Sequence, residues 1–372
     1  MAWTTRGQAQ GPENLAARQT TRRLLLGGLP VGAGAPVSVQ SMVRSGLADS
    51  DAVLEEIQRL AGIGCQVIRV ALVDDSQLDA LARVAKSSVL PLVADVHYPF
   101  RLALAALEMG AHGVRVNPLV PWDKHLLRDV ARLAEERRAV IRVGINAGRW
   151  PSDLPLTPQA LVDRVLERAD MLAQRGADQI KCSVKSSDPA MTLQANRLLA
   201  RQGPWPIHLG LTEAGPGLAG AARSAAVMGR ILSEGIGDTI RVSLSGPACD
   251  EVVAAREILR ALGLLHRGAL VVSCPGCGRS HADVAEAALF VQRALAGVEE
   301  PITVAVMGCE INGPGEAAGA DVGIAATSKG WQLFSQGSNR GALSWEDGPR
   351  RLVALALEAT RIQNHSTGEE NQ

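Results

Sequence analysis

Gly113-Val-Arg-Val-Asn117, then the amphipathic stretch from His125 to Arg138, then Ala139-Val-Ile-Arg-Val-Gly-Ile-Asn146 decide how this chain folds. Two short β-branched runs joined by a helical pattern require parallel strands with the helix crossing between them. The unit recurs in both directions. Upstream strand candidates are Pro36 to Met42, Gln66-Val-Ile-Arg-Val-Ala71 and Leu90-Pro-Leu-Val-Ala-Asp-Val-His97. Downstream ones are Gln179 to Lys185, Pro206 to Glu213 and Thr239 to Ser245, and helical patterns such as Asp49 to Ala61, Pro158 to Arg175 and Asp250 to Leu262 follow strands. Eight such units in about 230 residues match the size and order of a (β/α)₈ TIM barrel. An open doubly wound sheet is the alternative, but no Gly-x-Gly-x-x-Gly turn follows the first strand.

After Leu265 a short break, His266-Arg267-Gly268, leads into a smaller α/β pattern. Its strands are expected at Ala269 to Ser273, Ile302 to Met307 and Asp321 to Ala325, with helices at Ala282 to Leu295 and near Pro349 to Ile362. The expected domains are therefore 21–265 and 266–365. Within the second lie Val271-Val-Ser-Cys-Pro-Gly-Cys-Gly-Arg279 and Val306-Met-Gly-Cys-Glu-Ile-Asn-Gly-Pro-Gly-Glu316. Cys274 and Cys277 leave one strand and Cys309 leaves another, so parallel pairing would bring three sulfurs to one edge. Thiolates suit zinc or an iron–sulfur cluster. A closed zinc site wants a fourth ligand, and His281 gives an unusual spacing for it. Three cysteines instead leave one position for an exchangeable ligand, and the Gly313-Pro314-Gly315 turn would swing Glu316 back toward Cys309. The plainer alternative is reduced thiols buried beside a turn.

Composition narrows the function. The 372 residues carry 38 Lys and Arg against 38 Asp and Glu, so no net charge draws the chain to nucleic acid or to an anionic membrane. Aromatic residues are 3% of the chain and 47% is hydrophobic, which suits repeated strand–helix packing. Six cysteines without regular pairing point to a reducing cytoplasm, and Cys65, Cys182 and Cys249 read as small buried hydrophobes. Thr21-Arg22-Arg23-Leu24-Leu25-Leu26 imitates a twin-arginine signal, but glycine and proline interrupt the apolar run that follows and it continues into the first strand. No uncharged apolar segment is long enough to span a bilayer. Residues 1–20 and 366–372 are polar and expected to be loose.

In a barrel the chemistry sits where strands end. Arg69, Arg115, Arg142, Lys185 and Arg241 interrupt otherwise apolar strands, each costing several kcal/mol, roughly, unless neutralised. Separate salt bridges are one explanation, yet the clear strand-end acids are only Asp95 and Glu213. The surplus positive charge implies an anion with more than one charge, most simply a diphosphate. Asn117, Asn146 and Ser243 are candidate donors to it, and Glu213 is the candidate proton donor, with a partner role to an arginine as the alternative. His97 and His208 are either further acids or satisfied strand histidines, the latter favoured for His208.

Several motifs together resemble one family. Val39-Gln40-Ser41-Met42, Val93-Ala94-Asp95-Val96-His97, Ser183-Val184-Lys185-Ser186-Ser187-Asp188, His208 to Gly215, Gly235 to Leu244, Cys274 to Arg279 and Met307 to Glu316 are similar to 4-hydroxy-3-methylbut-2-enyl diphosphate synthases, over about residues 20 to 360. The resemblance implies reductive ring opening of 2-C-methyl-D-erythritol 2,4-cyclodiphosphate in the non-mevalonate isoprenoid route. It implies a [4Fe-4S] cluster on Cys274, Cys277 and Cys309 with Glu316 as the oxygen ligand, Asn312 beside it, and electrons from reduced flavodoxin or ferredoxin. Glu213 would give a proton to the leaving hydroxyl, while Arg69, Asp95, His97, Arg115, Asn117, Arg142, Asn146, Lys185, Arg241 and Ser243 would form the substrate site. Val43, Leu119 and Arg223 depart from the pattern, in place of threonine, glycine and lysine. The first two bear on how the strand-one and strand-four loops close.

Strand eight ends at the mouth and its helix carries the chain back to the opposite face, with only a short linker to follow. The cysteine domain is therefore expected to cap the barrel of a second subunit in a homodimer. Two other function classes stay open on the residues alone: a non-redox barrel enzyme, such as an aldolase or pterin-dependent transferase, with a structural zinc module, and a cluster-bearing sensor without turnover.

Overall fold

A computed structural model describes residues 15–369, with side chains described to residue 361. Two compact units divide the chain at Leu265 and His266. In the first, a hairpin of β1 (Leu24–Leu26) and β2 (Leu29–Val31) precedes eight parallel strands. These are β3 (Ser38–Met42), β4 (Val67–Leu72), β5 (Leu92–Val96), β6 (Gly113–Val116), β7 (Val140–Asn146), β8 (Ile180–Lys185), β9 (His208–Leu209) and β10 (Thr239–Ile240). Their order is β8-β7-β6-β5-β4-β3-β10-β9, and a parallel bridge from Cys182 to Ile207 closes the ring. The unit is a (β/α)₈ barrel. Helix starts are set locally: Asp49, Asp123, Thr157 and Asp188 each accept a backbone N–H of the first turn.

β9 and β10 stop short of Glu213 and Ser245, the ends that the sequence pattern predicts for them. A Cβ on Gly210 would lie 2.7 Å from Lys185 Nζ and 2.8 Å from the Arg241 carbonyl, so the chain there yields its place to a lysine side chain.

The parallel registers order the lumen. Following them round the ring with the shear of a closed eight-stranded barrel puts Gln40, Val93, Arg142 and His208 on one level, from alternate strands. Arg69, Arg115, Ser183 and Arg241 form the level above it. At the bottom, under Lys181 and Thr239, Leu24, Leu26 and Val31 of the hairpin pack on Val67, Val93 and Val140. The run that imitates an export signal is thus the barrel floor. Leu24, Leu26 and Val31 are fully buried, and each contributes about 1.5–3 kcal/mol. Helices cover the outside of the ring, where the main apolar core lies.

Residues 15–20, which fall in the stretch expected to be loose, are tied to the barrel instead. Ala16 N donates to the Ser233 carbonyl at 3.0 Å, and Arg18 pairs with the buried Asp238 at 2.9 Å. The expectation for residues 1–14 lies outside the described residues.

The second unit is a five-stranded sheet in the order β11 (Ala269–Ser273), β12 (Ile302–Met307), β13 (Val322–Thr327), β14 (Gly330–Ser335) and β15 (Ser338–Leu343). The first three are parallel and the last two antiparallel. Helices Val284–Ala294 and Asp347–Glu369 accompany it, the second running into the stretch expected as a loose tail at 366–369. Residues 370–372 lie outside the described residues. The β14–β15 hairpin has no clear signal in the sequence. Gln336 at φ 49° and Gly337 at φ 73° form its tight turn, but β15 is polar and exposed and carries no alternation. Among the described residues no helix is long and apolar enough to cross a membrane.

Candidate active site

Inside the barrel, Asp95 is the hub. Arg69 Nε lies 3.5 Å from one carboxylate oxygen and Arg115 Nη1 3.3 Å from the other, with His97 Nε2 at 3.6 Å. Burial would raise its pKa, but Arg69, the His97 hydrogen bond, Arg115 and Arg142 outweigh this and hold it well below the usual carboxylate range. Asp95, expected to bind substrate, is engaged here as the counter-ion of the arginines. Arg115 also donates to the Gly144 carbonyl at 2.8 Å, and Arg142 to Ser183 Oγ at 3.0 Å. Any side chain on Gly144 would begin 2.6 Å from Ser183 Oγ and 3.4 Å from Arg142 Nη1, so the glycine leaves the guanidinium room.

Lys185 Nζ lies 3.0 Å from His208 Nε2, and His208 Nδ1 2.8 Å from Thr239 Oγ1. Burial, then Lys185 and Arg142, push the His208 pKa well below its ordinary value. A neutral ring whose Nε2 accepts from Lys185 and whose Nδ1–H donates to Thr239 satisfies all three. His208 is fully buried with both ring nitrogens engaged. Burial also depresses Lys185, which faces Arg142, Arg69, Arg241 and Arg115, and Lys181 beneath it falls to about 7. Arg142 is driven far down by the same burial and by Arg69 and Arg115. A guanidinium does not lose its proton, so this depression expresses a cluster of like charges that an anion would relieve.

Glu251, from helix Ala248–Ala261, was missed by the sequence reading. It is 1% exposed, lies 3.3 Å from Arg241, pairs with Arg44 at 2.8 Å and accepts from Leu244 N. Its position in an ordinary acidic first turn gave no sign that it reaches the strand ends. Even so, Arg69, Arg115, Arg142, Arg241 and Lys185 face only Asp95 and Glu251 among the acids these contacts reveal, while Lys181 is turned toward the buried Asp238. Among the described residues the Nε atoms of Arg69, Arg115, Arg142 and Arg241 and Nη2 of Arg142 are buried without hydrogen-bond partners. Arg69 Nε is turned toward Asp95 without closing a hydrogen bond, and the others are N–H donors of a chemistry suited to an anion.

Asn117, Asn146 and Ser243 follow Arg115, Gly144 and Arg241 by two residues, and so face the lumen one step nearer the mouth. Asn117 Oδ1 accepts from Leu119 N and its carbonyl from Trp122 Nε1, which closes the strand-four loop despite the leucine. Val43 packs into the barrel core. Glu213 sits on the loop after β9 in the left-handed region at φ 56°, exposed, with Oε1 leaning toward Gly148. A non-glycine residue there stores strain of the kind functional loops hold. Arg223 donates to the Ala214 carbonyl at 3.0 Å, so this departure still clamps the loop that carries Glu213.

In the second unit Cys274 follows β11 and Cys309 follows β12, adjacent parallel strands. Gly308 N donates to Cys274 Sγ at 3.2 Å. Backbone and side-chain donation from Arg279 lowers the Cys277 pKa, and N–H groups of Asn312, Ile311 and Gly313 lower that of Cys309. Gly313-Pro314-Gly315 turns the chain back after β12 toward the start of the parallel strand β13, and does so as a helix rather than a tight turn. It opens a short helix, Gly313–Ala318, because Gly313 lies against Ala325 and Met307 where a Cβ would meet theirs at 3.0 and 3.1 Å. Glu316 and Asn312 are exposed on and before that helix. Among the described residues no three His, Cys, Asp or Glu side chains close around a single ion position. Three thiols served by backbone N–H donors are nonetheless the donor chemistry of an iron–sulfur cluster, whose sulfur ligands accept such bonds. Cys65 and Cys182 are buried in the barrel core, where burial raises their pKa, Cys65 to about 11, and Cys249 packs half-buried on that core.

Family models described as the GcpE TIM-barrel domain and the GcpE protein C-terminal domain match residues 21–256 and 270–357. The chain belongs to the GcpE family. Curated relatives carry the name 4-hydroxy-3-methylbut-2-en-1-yl diphosphate synthase (flavodoxin). That of Streptomyces griseus is 44% identical, covering 89% of this chain and 88% of its own. Those of Salinispora arenicola and Nocardia farcinica are 43% and 44% identical, covering 88% and 87% of this chain and 85% and 86% of theirs. As a GcpE protein the chain is an oxidoreductase of isoprenoid biosynthesis. A solved dihydropteroate synthase from Xanthomonas albilineans, 18% identical at a TM-score of 0.47 over 62% of this chain and 95% of its own, says nothing of the reaction.

Asp95→Asn is expected to cost about 3–5 kcal/mol of stability by leaving buried guanidinium groups unbalanced. Because the folded pKa is depressed, the stability Asp95 supplies is present above the unfolded value near 4 and lost as pH falls toward the folded one. Denaturant melts between pH 7 and pH 3 should show the gap between wild type and variant narrowing. A pH-independent gap would contradict the ion-pair account.

Proposed function

We propose that this GcpE protein reduces and dehydrates 2-C-methyl-D-erythritol 2,4-cyclodiphosphate to 4-hydroxy-3-methylbut-2-enyl diphosphate. Two electrons and two protons enter, the ring C–O bond and the hydroxyl C–O bond break, and one water leaves. The observation that carries this is the excess of buried guanidinium N–H groups in the lumen, a fit for two linked phosphates. Arg69, Arg115, Arg142, Lys185 and Arg241 hold the phosphates, with Asn117, Asn146, Ser243 and His97 nearer the mouth. Asp95 keeps Arg69 and Arg115 aligned. Glu213 delivers a proton to the departing hydroxyl.

Cys274, Cys277, Cys309 and Glu316 would hold a [4Fe-4S] cluster, with Asn312 beside it. Bound, the cluster supplies the electrons one at a time. Reduced flavodoxin, the donor in the relatives' names, or ferredoxin is the proposed partner. The free cysteines suit a cytoplasmic setting. We propose a homodimer in which the cysteine unit of one subunit serves the barrel of the other, since helix Ala248–Ala261 returns the chain to the barrel's far face just before His266.

The deciding experiment is an anaerobic assay of iron-loaded full-length protein with the cyclic diphosphate and reduced flavodoxin. The linear diphosphate should appear with one water lost per two electrons. Iron-loaded protein that makes no product, or purified protein holding zinc and no iron, would sink the proposal.

A further inference from the structure

We infer that Gln40 is a ligand-recognition residue of the lumen, reading the innermost phosphate oxygen that Arg142 also binds; this rests on the diphosphate reading above. Gln40 is 2% exposed, and neither Oε1 nor Nε2 has a hydrogen-bond partner among the described residues. Its direction is fixed by the strand. Val39 packs in the outer core, whereas Met42, two residues on, meets Arg69 inside the barrel, so Gln40 points inward. On its level stand Val93, His208 and Arg142, which is 3% exposed with Nε and Nη2 unpartnered. Leaving both ends of a carboxamide bare in an interior costs several kcal/mol, roughly, so the position is selected for something that enters.

A carboxamide suits the place where a further cation would not. With an anion in place, Oε1 would accept an N–H from Arg142 across the lumen while Nε2 donates to the phosphate oxygen. No charge is added to a cluster already rich in it. The level directly below sets Lys181 and Thr239 beside Val67, and the hairpin floor follows under them.

The test is calorimetric titration of the full-length protein with inorganic pyrophosphate at fixed ionic strength, beside thermal melts. Gln40→Leu and the more adaptable Gln40→Met should bind about tenfold or more weakly, the loss expected for a hydrogen bond to a charged group. Their melting temperatures without ligand should equal or exceed that of wild type, because an unpartnered amide has been replaced by a hydrocarbon. If both variants bind pyrophosphate as wild type does, Gln40 is no ligand residue, whatever the lumen binds. Gln40 is equally excluded if the variants melt lower in proportion to lost binding. If wild type itself shows no pyrophosphate binding, the diphosphate reading of the lumen falls and takes this inference with it.

Discussion

Cys309→Ser is expected to abolish turnover and to remove the visible absorption that wild type gains on anaerobic reconstitution with iron and sulfide. Three backbone N–H groups, of Ile311, Asn312 and Gly313, converge on this sulfur. A serine hydroxyl is a far harder ligand and stays protonated, so the proposed iron centre would lose one of its three sulfur anchors. Secondary structure and melting of the apo protein should change little, because Cys309 lies on a half-exposed loop outside the apolar clusters. Cys65→Ala provides the contrast: it opens a cavity in the barrel core and lowers stability but leaves the colour intact. A Cys309→Ser protein that reconstitutes with wild-type absorption and turns over normally would remove this residue from the centre.

Glu213→Gln is expected to lower kcat by about 10²–10⁴-fold while the colour of the reconstituted protein and the pyrophosphate affinity stay as in wild type. Glutamine keeps the shape of the side chain and the strained backbone at φ 56° but cannot give up a carboxyl proton. Unchanged kcat would move the proton donor elsewhere. The two inactive proteins also test the subunit arrangement. If barrel and cysteine unit of one site come from different chains, a mixed dimer of Glu213→Gln and Cys309→Ser holds one site with both lesions and one with neither. Co-expression should then restore activity toward half that of wild type per mixed dimer, whereas sites within single chains stay silent.

The ring of parallel strands was readable because each strand is a short β-branched run and each crossover a periodic helix, so local pattern and fold agree. The cations were readable as interruptions of apolar runs. What escaped has a common cause. Glu251 acts through space, from a helix start that looks ordinary in sequence. Gln40 stands between Val39 and Ser41 like any polar residue of an alternating strand, and only closure of the ring shows that its amide is sealed in. The helical start at Gly313 depends on how closely Ala325 and Met307 approach, which sequence spacing does not carry.

The hairpin Leu24–Val31 has a consequence for biosynthesis. It leaves the ribosome long before Val67, Val93 and Val140, against which it closes the barrel. At about 5–20 residues per second, roughly ten seconds pass between the hairpin and the last of these valines. Throughout that interval Leu24, Leu26 and Val31 lack the three valines that cover them in the closed barrel, so the hairpin can only become buried after most of the strands have been made.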